Sequence, residues 1–314
     1  MDYTDLIDPE LKRIAKRIPY HKFMIRTANI YQMIALKLTR IPGEIKCKQL
    51  IVRENSGLPL NVALYEPAAA ADKLPCLLYM HGGAFSYKAS AYHKKLACTY
   101  ALEANCRVAF PDYHLLPGHP YPAAYREVMS VYRWLSEDAE SLRIDKALIG
   151  VAGDSSGGLL AAAICNEYEK EALPIPCAQM LIYPVTDASM STKSMGMYDD
   201  TPLWNARNNK KMWEFYFKNA TVEHRRDASP MQSVLPHRIP DTYIETAEYD
   251  CLRDEGILYA EKLRQAGANV ELNETKGTIH GYDCAIKTRI AQYNIGKRIL
   301  FLKRCFGSGD KPRA

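Results

Sequence analysis

From residue 76 onward, short apolar runs alternate with longer stretches of helical periodicity. The runs fall at 76–80, 107–110, 147–152, 178–183, 243–247 and 270–272. Between and after them lie helical stretches at about 90–104, 122–139, 157–170, 208–218, 253–266 and 286–304. Buried strands alternating with amphipathic helices predict βαβ units and a mostly parallel central sheet flanked by helices. Ahead of them, 45–52 and 60–65 read as paired strands joined through Asn55-Ser56-Gly57. Gly267 is placed to stop the helix that begins near Asp254.

Two segments depart from this rhythm. Near the start, Asp8-Pro9-Glu10 is a helix N-cap with proline in the first turn, and Leu11, Ile14, Ala15 and Ile18 recur at helical spacing. A second helical run covers 22–38 and ends before Pro42-Gly43. Lys12, Arg13, Lys16 and Arg17 read as a solvated face in preference to a membrane-surface helix. The stretch 188–241 is too long for a simple crossover and is rich in Met, Trp, Tyr and Phe. The chain therefore divides into an N-terminal helical cap segment (1–44), a first part of the core (45–187), a second cap segment (188–241) and a second part of the core (242–314). The cap is expected over the carboxyl ends of the strands.

With 314 residues, 47% hydrophobic and 25% charged, the chain can bury a large core. A net charge of +5, spread along the chain, argues against a nucleic-acid partner. The nine cysteines form no C-x-x-C pair and read as reduced thiols of a cytoplasmic protein. No secretory signal and no membrane span is expected. Oligomeric state stays open between monomer and homodimer.

The chemistry concentrates at strand ends. Gly153-Asp154-Ser155-Ser156-Gly157 follows an apolar strand and opens a helix, a setting that lifts a serine hydroxyl out of the top of a sheet. Ser155 is the candidate nucleophile, with a plain glycine turn as the competing reading. A serine needs a base, a carboxylate to orient it and donors for the oxyanion. His280 sits in a glycine-flanked loop after the last strand, where a surface-turn histidine is the alternative. Asp250 follows the strand at 243–247 and is preferred over Asp254, which suits a helix first turn, and over Asp187. His81-Gly82-Gly83-Ala84-Phe85 follows the strand at 76–80, and the main-chain N–H groups of Gly82, Gly83 and Ser156 are the expected oxyanion donors. His81 itself is expected to brace the loop. The order Ser155, Asp250, His280 is that of the α/β-hydrolases.

Five blocks carry a closer resemblance. These are His81-Gly82-Gly83, the run from Asp112 to Ala124, Gly153 to Gly158, Asp250 to Glu255, and Ile279-His280-Gly281. Together they resemble the hormone-sensitive-lipase family of esterases. The resemblance implies an α/β-hydrolase fold with a helical cap, no cofactor or metal, and hydrolysis of small carboxylic esters with short or medium acyl chains. Two positions depart from the family pattern: Ala84 stands where a third glycine is usual, and Ser156 where alanine is usual. Because the donors are main-chain groups, activity is expected to survive both. Phe85, Tyr113 and Trp204 are candidates to line the substrate pocket. The same machinery would also serve an arylformamidase or a deacetylase. A hydrolase-fold binding protein without turnover is a further alternative.

Overall fold

A computed structural model describes residues 3–53, 58–70, 72–218, 220–221, 225–226 and 228–307. Eight strands make one sheet: β1 (Ile45–Arg53), β2 (Pro59–Pro67), β3 (Leu74–Met80), β4 (Arg107–Pro111), β5 (Ile144–Asp154), β6 (Ala178–Ile182), β7 (Asp241–Tyr249) and β8 (Val270–Ile279). They lie in the order β1-β2-β4-β3-β5-β6-β7-β8. The β1/β2 and β2/β4 pairs are antiparallel, and every later pair is parallel. The turn expected at Asn55-Ser56-Gly57 lies outside the described residues.

Helices among the described residues include α1 (Lys22–Leu38), α2 (Ala91–Glu103), α3 (Ala123–Glu137), α4 (Ser156–Glu167), α5 (Lys193–Met197), α6 (Ala206–Tyr216), α7 (Arg253–Gln265) and α8 (Arg289–Cys305). Strands β4 and β6 are buried throughout, as expected of parallel strands covered on both faces. Helix α4 is apolar nearly all round, and all but its last residue are buried against β3, β5 and β6.

Two elements differ from the sequence expectation. Asp8 does cap, accepting the Glu10 N–H at 2.8 Å, but only a 3₁₀ turn at Pro9–Leu11 follows. A lone short helix is marginal in water. Here tertiary bonds take its carbonyls: Leu203 N–H donates to Lys16 O, and Asn208 Nδ2 donates to Ile18 O. Strand β8 in turn runs on well past Leu272. Its later residues are polar because β8 lies at the sheet edge with β7 as its neighbour, and Glu271, Glu274 and Lys276 face solvent. Gly277, read as loop, lies inside this strand at an irregular register, with φ +65° and its N–H on Glu248 Oε2 at 2.7 Å.

Candidate active site

Strand β5 leaves the sheet at Asp154 and α4 starts at Ser156, so Ser155 takes the whole corner. Its φ of +54° is rare for a residue with a side chain and costs on the order of 1–3 kcal/mol. Two main-chain bonds hold it there: Ser155 N–H to Ile182 O at 2.8 Å, and Val185 N–H to Ser155 O at 3.1 Å. The corner is also too tight for side chains beside it. A Cβ on Gly153 would stand 2.1 Å from Gly157 O, and one on Gly157 would stand 2.2 Å from Met80 O. Those glycines let α4 start against β3.

Asp250 and His280 each come one residue after a strand end, from β7 and β8. His280 Nδ1–H donates to Asp250 Oδ2 at 2.7 Å, and Ser155 Oγ–H donates to His280 Nε2 at 2.9 Å. The other carboxylate oxygen of Asp250 accepts the Leu252 N–H at 3.0 Å. Asp250 is fully buried, while Ser155 and His280 keep 7% of their surface open. The rival carboxylates are occupied elsewhere. Asp254 accepts from Ser194 N–H and Arg253 at the start of α7, and Asp187 accepts from Ser189 and Gln232.

The loop after β3 carries three consecutive positive φ angles, +121° at Gly83, +55° at Ala84 and +54° at Phe85. Ala84 thus adopts a conformation that favours the glycine it replaces. Beneath the loop Asp154 is buried, accepting from Tyr79 Oη at 2.9 Å and from His93 Nε2 at 3.1 Å. Burial pushes its carboxyl up, but the His93 ring and these hydrogen bonds outweigh that and hold it below the ordinary value. His81 Nδ1 lies 2.6 Å from Gly82 O and its ring stacks on Tyr113 at 4.5 Å. Burial, with the neighbouring His93, lowers its pKa to about 4, so it stays neutral as a brace. Ser156 heads α4, where the first N–H groups have no helical acceptor, and its Oγ accepts the Phe85 N–H at 3.3 Å.

Gly82, Gly83, Ser155 and His280 border one cavity of about 730 Å³. Ile18, Tyr20 and Tyr31 line it from the N-terminal segment, and Leu203, Trp204 and Asn208 from the segment before β7. Trp204 lies 6.2 Å from the His280 ring and edge-on to Tyr20 at 5.5 Å. Two pocket expectations need correction, since Phe85 and Tyr113 are not among the described residues that line it. Phe85 turns away to stack on Tyr216 at 4.2 Å, joining an aromatic cluster with Trp213 and Phe217. Tyr113 is buried under His81, donating to its carbonyl at 2.5 Å.

Several contributors gave no signal in the sequence. Tyr20 Oη lies 2.5 Å from Ser86 Oγ and 3.3 Å from Ala84 O. Asn29 on α1 donates to Ser86 O and accepts Lys88 N–H, each at 2.8 Å, tying the first helical segment to the glycine loop. Tyr183 packs 4.7 Å from the His280 ring and borders the cavity.

The family described as alpha/beta hydrolase fold matches residues 77–283. The chain is 30% identical over 308 residues to Carboxylesterase NlhH of Mycobacterium tuberculosis, covering 95% of this chain and 96% of that one. It is 34% identical over 247 residues to Ethyl acetate hydrolase of Pseudomonas putida, covering 77% and 76%. Among solved structures it resembles esterase LipW from Mycobacterium marinum, with a TM-score of 0.89, 28% identity and coverage of 96% and 97%. A serine, a histidine and a buried carboxylate joined at the carboxyl edge of this sheet thus occur in a chain whose relatives cleave esters: it belongs to the hormone-sensitive-lipase-like family of the alpha/beta hydrolase fold and is a carboxylic ester hydrolase.

Proposed function

We propose that the protein hydrolyses esters with short to medium acyl chains in two steps through an acyl-serine. His280 Nε2 takes the Ser155 hydroxyl proton as Oγ attacks the ester carbonyl carbon. Asp250 holds the imidazole in the tautomer with its proton on Nδ1 and stabilises the imidazolium. The tetrahedral intermediate collapses, the C–O bond to the alcohol breaks, and the alcohol leaves with the proton from Nε2. Water then gives its proton to Nε2 and attacks the acyl-serine, releasing the acid and restoring Ser155. The N–H groups of Gly82, Gly83 and Ser156 serve both oxyanions, each worth about 10²–10³ in rate.

The observation that carries this reading is the continuous bond path from Asp250 through His280 to Ser155, at 2.7 and 2.9 Å. Residues 1–44 and 188–241 act as the cap that shapes the acyl site, since both supply cavity-lining side chains. The cysteine usage supports a cytoplasmic setting. Replacing Ser155 by alanine is expected to lower hydrolysis of p-nitrophenyl butyrate by at least about 10⁴-fold, with no labelling by a fluorophosphonate. Turnover retained in that variant would falsify the assignment.

A further inference from the structure

The outer side of α1 is mostly apolar and exposed, with Thr27 as its polar member, and every charged residue along the helix is a cation. Phe23, Ile30, Ile34 and Leu38 recur at helical spacing, which places them on one face. Their exposures are 70%, 50%, 51% and 76%, so nothing in the described chain covers them. The helix contains no Asp or Glu, while Lys22, Arg26 and Lys37 stand exposed along it and Arg40 follows its end. Its inner side is fixed to the core. Ile25 is buried, Asn29 is bonded to Ser86 and Lys88, and Lys94 Nζ donates to Leu36 O and Thr39 O. That inner side also reaches the cavity through Ala28, Gln32 and Ala35.

We propose that α1 docks the enzyme on an anionic phospholipid surface, lying in the headgroup plane with Phe23, Ile30, Ile34 and Leu38 buried among the acyl chains. An apolar stripe flanked by Lys and Arg is what interfacial helices present to anionic lipid. A second copy is a poorer occupant. A two-fold contact would set three cations and no acid against the same set. Among the described residues no helix is long and apolar enough to cross a membrane, so the attachment is peripheral. The cavity begins on the other side of the same helix, and docking therefore brings its lining next to a reservoir of esterified acyl chains.

The test is flotation of the full-length protein with vesicles of phosphatidylcholine alone and of phosphatidylcholine mixed with phosphatidylglycerol. The wild type is expected to float with the mixed vesicles only, and to be released as salt rises. The double variant Ile30→Ser/Ile34→Ser and the charge reversal Arg26→Glu/Lys37→Glu should each weaken partitioning about tenfold or more. None of these four side chains lines the cavity, so both variants should hydrolyse soluble p-nitrophenyl acetate at the wild-type rate, which also reports that they fold. Ser155→Ala should still float, which separates this proposal from the assignment of the nucleophile. Wild type that stays unbound, variants that bind as well as wild type, or self-association abolished by Ile30→Ser/Ile34→Ser would each overturn the proposal.

Discussion

The Nε2 of His93 donates to the carboxylate of Asp154 across 3.1 Å, with both side chains buried and Asp154 immediately preceding Ser155. The tautomer follows from the other ring nitrogen, Nδ1, which accepts the Ser90 N–H at 2.9 Å. Through this pair the start of α2 is joined to the elbow. Because the folded Asp154 titrates below its unfolded value, its contribution to stability is present above about pH 4 and is lost as pH falls through the lower folded pKa. Urea midpoints should therefore show wild type more stable than Asp154→Asn at neutral pH, with the gap closing as pH falls below about 4. A gap unchanged across that range would mean the carboxylate charge is not what the fold uses.

Gly82 stands over the same carboxylate. A methyl there would lie 2.3 Å from Asp154 Oδ2 and 2.8 Å from Asp154 O, and the second contact is with backbone. Gly82→Ala is expected to push the loop away from the serine and lower kcat/KM about 10²–10³-fold. Burst kinetics with p-nitrophenyl acetate would locate the loss in acylation.

Ala84 tests how much the departure from glycine matters. At φ +55° an alanine is strained by about 1 kcal/mol, but glycine would add about 0.4–1 kcal/mol of unfolded-state freedom. Ala84→Gly should thus leave stability within about 1 kcal/mol of wild type and keep activity. Ala84→Val puts a β-branched side chain at that φ and should cost roughly 1–3 kcal/mol, read from thermal unfolding.

Trp204 borders the cavity beside the His280 ring, and its Nε1–H reaches Asn209 Oδ1 at 3.4 Å. Removing the indole enlarges the cavity without touching the bond path. Trp204→Ala should move the preferred p-nitrophenyl ester toward longer chains, raising KM for acetate with a smaller change in kcat. An unaltered chain-length profile would place acyl selection elsewhere in the cavity.

The buried strands were readable because strands covered on both faces are continuous apolar runs: 76–80, 107–110 and 147–152 all fall within observed strands, and 178–183 overruns its strand by one residue. The apolar run at 270–272 marks only the start of β8, because an edge strand mixes solvent-facing charge with its buried positions. The segment after Asp8 had helical periodicity, but its carbonyls were claimed by Leu203 and Asn208, nearly two hundred residues away. Sequence separation also hid the roles of Asn29 and Tyr20, whose partners in the glycine loop lie 57 and 66 residues further on. Trp204 was legible as an aromatic in an irregular segment. Phe85 and Tyr113 carried the same signal and are packed elsewhere, because an aromatic beside a motif says nothing about which way its ring turns.

His280 reaches Ser155 from 125 residues further along the chain, one residue past the end of β8. During synthesis Ser155 leaves the ribosome long before His280 does. A growing chain that has not yet made β8 holds Ser155 without the imidazole that bonds it, so this hydrogen bond can form only once Val270–Ile279 has emerged and paired with β7.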